Sequence, residues 1–149
     1  MQYLAAKARK LRIGWNKRPL SEADFHRLRD RFGILLVEVD SEDMEFKGFY
    51  THTFGKIPTI VINARLRGLE RLRVLWHEMG HYLFHAPATC LFSENSVDKA
   101  EVEAHAFATI ALLPGPLLKR MLNWDLYEED CLPAEIVRAR LLLAAYYDL

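Results

Sequence analysis

The sequence predicts an α+β fold, in which a small, mostly antiparallel three-stranded sheet packs against a helical bundle. Three stretches point there. Between 69 and 85 the apolar residues Leu69, Leu72, Trp76, Met79 and Leu83 recur at helical spacing, which makes one buried stripe on an amphipathic helix. Upstream, residues 34–39, 45–53 and 58–62 are runs of β-branched and aromatic residues divided by turn formers, and they read as strands. Downstream, residues 97–113 are rich in helix formers and are stopped by Pro114-Gly115-Pro116.

Composition sets the outer limits. At 149 residues and 51% hydrophobic content the chain suits a single domain over 1–149, and it shows no linker, repeat or low-complexity segment. Twenty basic and twenty acidic residues cancel, so the molecule as a whole has no electrostatic case for wrapping nucleic acid or lying on an anionic membrane. No apolar run approaches the roughly 18 residues that span a bilayer, and the start of the chain lacks the apolar block of a secretory signal. A cytoplasmic protein is expected. Cys90 and Cys131 lack CxxC spacing and read as thiols packed as small apolar groups.

Taken in order, residues 1–18 hold Lys7, Arg9, Lys10, Arg12, Lys17 and Arg18 and no acid. With Leu4, Ala8, Leu11 and Trp15 at helical spacing, this is a basic amphipathic helix or arm. Direct nucleic-acid binding is not expected of the whole, but this arm leaves it open. Ser21 with Asp24 forms a capping box with Asp in place of Glu, opening a helix that carries Phe25, Leu28 and Phe32 and ends at Gly33. The strand at 34–39 runs into an acidic turn, Asp40 to Asp43. Pro58 marks the start of a strand or an edge strand. An open edge could hold an extended peptide by main-chain hydrogen bonds, and a covering loop is the equal alternative. Ala86-Pro87 breaks the chain into a connector over 86–96. After the helix at 97–113, Leu117 to Leu122, an acidic loop over Asp125 to Asp130 and a helix from Pro133 read as core and lid.

The chemistry concentrates at His77, Glu78 and His81, an HExxH motif on the 69–85 helix. Residues i and i+4 share a helix face about 6 Å apart along the axis, so two imidazoles can grip one zinc ion. Glu78 lies about 100° round the helix, outside that pair but within reach of a water at the site. A catalytic zinc takes three protein ligands. His85 shares the face but lies about 12 Å from His77 along a continuous helix, too far for the same ion. Glu101, Glu103 and His105 are near the right distance downstream. Glu103 stands one turn before Phe107 and borders the face expected to pack on the motif helix, whereas Glu101 is on nearly the opposite side.

These residues carry a resemblance. His77 to His85, HEMGHYLFH, followed by Glu101 to Pro114, EVEAHAFATIALLP, resembles the ImmA/IrrE family of zinc metallopeptidases, whose pattern joins HExGHxxLH to ExEANxFAxxLLMP. The likeness extends through GFY at 48–50 and IVIN at 60–63, and loosely to VRARL at 137–141. Trp76, His105 and Leu113 depart from the family's usual small residue, Asn and Met. The resemblance implies one zinc ion per chain, held by His77, His81 and Glu103, with Glu78 as the general base. Tyr50, His52, His85 and His105 are then candidates to stabilise an oxyanion or support the ligands. It further implies an endopeptidase that cleaves a cognate transcriptional repressor and so releases genes of a mobile element or a stress response. The alternative is a zinc-containing regulator that binds a repressor or DNA without cutting it.

Overall fold

A computed structural model describes residues 1–52, 56–85, 94–123 and 132–149, with side chains from 99 onward in the third stretch. The α+β class is as expected, with six helices and one three-stranded sheet among the described residues. The expected break at Ala86-Pro87, both cysteines and the loop at 125–130 lie outside them. The chain divides into two compact units, residues 21–108 and residues 1–20 with 109–149.

In the first unit, α2 (Glu22–Phe32) opens on the expected box: Ser21 N donates to Asp24 Oδ2 at 2.9 Å, and Asp24 N donates to Ser21 Oγ at 3.2 Å. Gly33, at φ +65°, closes it in the left-handed conformation that glycine adopts without a Cβ clash. Strands β1 (Leu35–Val39), β2 (Gly48–Thr51) and β3 (Thr59–Asn63) follow.

The sheet corrects one expectation. Its order is β1-β3-β2, with β1 parallel and β2 antiparallel to β3, so it is mixed rather than mostly antiparallel. β3 is central, and Pro58 stands just before it, so of its two readings the strand start holds and the edge does not. The reason is burial: β3 is the one strand with all five residues buried, and it therefore takes the place flanked on both sides. Asn63 closes β3 from inside. Its amide donates to the carbonyls of Ser41, Asp43 and Phe46 at 3.1–3.2 Å, which folds the acidic turn against the sheet.

Helix α3 (Gly68–His85) covers one face of the sheet. Gly48 permits that approach, since a Cβ there would sit 2.7 Å from Val61 O and 3.0 Å from Val74 Cγ1. Arg71 of α3 binds Glu22 of α2 at 2.7 Å and Glu38 of β1 at 2.5 Å, tying three elements together. Helix α4 (Glu94–Leu112) begins three residues before the expected start at 97. It meets α3 at Gly80, where a Cβ would lie 2.9 Å from Ala104 Cα. Trp76, fully buried, fills core between Phe25 and Phe107, with ring centroids at 5.9 and 6.0 Å.

The second unit contains α1 (Gln2–Lys10), the end of α4, α5 (Gly115–Asn123) and α6 (Ala134–Tyr147). Leu4, Ala8, Leu11 and Trp15 are buried as the spacing predicts, although the helix ends before Trp15. Arg140, fully buried, donates to Leu113 O at 2.7 Å, Leu149 O at 2.6 Å and Asn16 Oδ1 at 3.2 Å. A buried guanidinium held by oxygen acceptors joins α6 to the turn after α1 and to the end of α4.

The contact between α3 and α4 gives a test. Glycine inside a helix normally costs about 1 kcal/mol against alanine. Gly80→Ala should nonetheless lower the urea midpoint, because the new methyl meets backbone that no rotamer change can move. A raised midpoint would show that the two helices separate freely and that the close approach is unimportant.

Candidate metal centre

His77 and His81 project from adjacent turns of α3, with Nε2 atoms 3.1 Å apart. The carboxylate of Glu101, from α4, reaches both: Oε2 lies 3.3 Å from His77 Nε2 and Oε1 lies 3.1 Å from His81 Nε2. Among the described residues this is the one group of three whose donor atoms could hold a metal ion, all within 4.8 Å of one another. Two imidazole nitrogens and a carboxylate oxygen are zinc donors. In a tetrahedron with bonds of 2.0–2.1 Å, ligand atoms stand roughly 3.3 Å apart. The two Nε2 atoms stand near that edge and the Glu101 carboxylate meets each with a different oxygen, so the donor types and their grouping within 4.8 Å fit the ion.

Glu103 is not brought to this group. It is half-buried beside His85, whose Nε2 lies 3.6 Å from Glu103 Oε2. The choice between the carboxylates turns on how α4 passes α3. Ala104 touches Gly80, Phe107 meets Trp76 and Phe84 on one side of that point, and Glu101 meets His77 and His81 on the other. α4 therefore runs across α3, and the residue one turn before the crossing lands among the histidines. Apolar periodicity could not show this, because from 104 to 113 only His105 is exposed and no single apolar face exists. A usable signal was the pair of small residues, Gly80 and Ala104, marking the crossing.

Electrostatics prepares the donors. Burial pushes the pKa of His77 down, with His105 and Arg73 adding to it and Glu101 opposing. Burial and then the His77 charge lower His81, again against Glu101. Both rings are thereby biased to the neutral form, which has a lone pair to give. Glu78 is buried beside them. Burial first, and the Glu101 charge second, push its carboxyl up to about 7, while a hydrogen bond from the Tyr50 main-chain N–H favours the ionised form.

The remaining candidates surround this core. The Tyr50 hydroxyl is hydrogen-bonded to His52 Nδ1. The Tyr50 ring also packs against Tyr82, with centroids 5.9 Å apart. The His85 ring is 5.8 Å from that of His81, and His105 is exposed on α4 but close enough to act on His77.

Glu78 makes the metal-free protein pH-sensitive in a stated direction. Its folded pKa, about 7, lies above the unassociated value of 4.5, so between these limits the native state holds a proton that the unfolded chain has released. Stability should fall as pH rises through that window, by up to about 3 kcal/mol. Glu78→Gln should therefore be more stable than the parent at about pH 8 and lose that advantage near pH 4, measured by urea unfolding in the presence of a chelator. A pH-independent difference would mean that Glu78 titrates as an ordinary surface carboxylate.

Residues 29–147 match the M78 peptidase family through its IrrE N-terminal-like domain. A protein of Bacillus phage phi105, bearing the name uncharacterized immunity region protein 2, is 35% identical over 105 residues. The alignment covers 64% of this chain and 66% of that relative, just under two thirds of its length. No helix among the described residues is long and apolar enough to cross a membrane. With an HExxH helix, a carboxylate delivered to its histidines by the following helix and a family match across most of its length, the chain belongs to the M78 peptidase family.

Proposed function

We propose that the protein is a zinc-dependent endopeptidase of the cytoplasm that cleaves a cognate transcriptional repressor at a specific site. The observation that carries the chemical part is the trio of donor separations at His77, His81 and Glu101 beside a buried Glu78. The repressor is inferred from the family resemblance of the sequence, and the name of the phage relative, an immunity region protein, supports it. We further take residues 1–149 to work as one metallopeptidase-like domain, a reading supported by the family match running through both compact units.

In this reading His77, His81 and Glu101 are the ligands, one ion per chain, and Glu101 replaces Glu103 in the set expected from the sequence. Zinc, when bound, supplies Lewis acidity, which acidifies a water and polarises the scissile carbonyl. Glu78 takes the proton from the attacking water on its carboxylate and passes it to the leaving amine. A base near neutrality is suited to both transfers, and the Tyr50 N–H holds the carboxylate in place. The Tyr50 side chain, paired with His52, is the proposed donor to the oxyanion, because its main chain already meets Glu78. Glu103 with His85 braces α4 against α3 behind His81, and His105 borders His77.

Elemental mass spectrometry of the purified protein tests the ligand set. About one zinc per chain is expected in the parent and in Glu78→Gln, with marked loss in Glu101→Ala and retention in Glu103→Ala. Loss confined to Glu103→Ala would overturn the assignment. The reaction is tested by incubating the protein with candidate transcriptional repressors purified from the same source and following fragments by mass spectrometry. Glu78→Gln should slow cleavage by a factor on the order of 100 or more, and undiminished cleavage by that variant would remove Glu78 from the mechanism.

A further inference from the structure

The chain is neutral as a whole, yet its charge is unevenly placed. The unit made of residues 1–20 and 109–149 holds ten basic and six acidic residues, a balance of +4, and residues 21–108 hold ten and fourteen, a balance of −4. Six of the ten cations fall between Lys7 and Arg18, and the first acid of the chain is Glu22.

The fold turns this run into an ordered surface. Leu4, Ala5, Ala8, Leu11 and Trp15 are buried, which points Arg9, Lys10, Arg12, Lys17 and Arg18 outward. The segment after α1 is a fixed turn: Lys17 N and Arg18 N both donate to Gly14 O, at 2.9 and 3.2 Å. Asn16, at φ +57°, is anchored by Gly115 N at 2.7 Å from its Oδ1. Arg18 lies over Gly14 and donates to Pro19 O at 3.1 Å. Among the described residues, Arg9, Lys10, Arg12 and Lys17 make no ion pair with a carboxylate. Cations on a solvated face usually acquire such partners when acids are near; here the sequence places none within the segment.

We propose that this face, carrying Arg9, Lys10, Arg12 and Lys17, docks on the phosphate backbone of double-stranded DNA. A duplex presents one negative charge per roughly 1.7 Å of axis, a density that the exposed Arg9, Lys10, Arg12 and Lys17 can follow, and each phosphate contact releases counterions. Arginine and lysine are mixed along the face, which suits phosphate oxygens more than any one carboxylate. Single strands are the weaker match, because Trp15, the segment's own stacking group, is buried in the core. The contact is to the backbone and carries no base sequence. It is independent of the metal centre and of the peptidase reading. Together with that reading, it would hold the protein on the DNA where a repressor is bound.

The test uses the full chain and a fluorescein-labelled duplex of arbitrary sequence, with binding followed by anisotropy between about 50 and 200 mM salt. Binding should weaken steeply with salt. Replacing Arg9, Lys10 and Arg12 together by Ala should lower affinity at least about ten-fold and reduce the slope of log affinity against log salt by about 3. Thermal melting should be unchanged, since all three side chains are exposed. A matched control, Arg31→Ala with Lys56→Ala, removes cations from the other unit and should leave DNA affinity as it was. Absence of salt-sensitive binding, or equal affinity in the triple variant and the parent, overturns the proposal. So does a dimer, seen by light scattering, that the triple variant abolishes while the parent ignores DNA, because the face would then belong to the acidic surface of a second copy.

Discussion

The close approach of α3 and α4 at Gly80 and Ala104 governs the rest of the first unit. Two helices separated by ordinary side chains stand about 8–10 Å apart. A glycine facing an alanine lets the backbones come nearer, to the point where a single added Cβ would collide with Ala104 Cα. That proximity is what allows a short glutamate on α4 to reach imidazoles on α3. Phe107 then wedges against Trp76 and Phe84, and the His85 and Glu103 pair stands further along, so α4 is fixed in rotation as well as in distance. The grouping of His77, His81 and Glu101 is thus a product of packing, and its precision is borrowed from a core contact that has no chemistry of its own.

The same tight packing sets the electrostatics. Glu78 and the two histidines are pushed by burial toward their neutral forms, and Glu101 acts on them with opposite results: it raises Glu78 and resists the lowering of both rings. A cation held by the histidines and Glu101 would reverse the pressure on Glu78, since a nearby positive charge favours its carboxylate. Base strength and ion binding are therefore coupled through one short stretch of α3. The Tyr50 N–H already favours the ionised carboxylate, and it comes from β2, whose approach to α3 depends on Gly48. The sheet thus meets Glu78 through the backbone of Tyr50 while the Tyr50 ring packs on Tyr82 of α3.

Local periodicity made much of this legible from residues alone. His77, Glu78 and His81 are related by the helix repeat, and the capping box at Ser21 and Asp24 needs three residues of context. Strand positions were also readable, though β2 is shorter than the run that suggested it. What required the fold was the relation between distant segments. Strand order depends on which strand is buried at every position, and the apolar runs at 34–39 and 58–62 look alike in sequence. The identity of the carboxylate facing the histidines depends on the direction in which α4 crosses α3, and a helix buried nearly all round hides it. Trp76 stands where the resemblance has a small residue, and its two aromatic neighbours place it in the core.

Charge follows a parallel logic. A net charge of zero describes the molecule seen from far away, beyond a Debye length of about 8 Å in physiological salt. At contact, what matters is the local surplus, and the two units have surpluses of opposite sign. In residues 21–108 much of the charge is consumed internally: Arg71 serves Glu22 and Glu38, Arg65 serves Asp40, and Lys47 serves Glu70. Lys7 to Arg18 contains no acid to serve, and its apolar side is used up in the core. The first eighteen residues therefore do two jobs with one helix and one turn. Their inward face closes a hydrophobic core, and their outward face presents Arg9, Lys10, Arg12 and Lys17, whose charge costs the fold little because water solvates it.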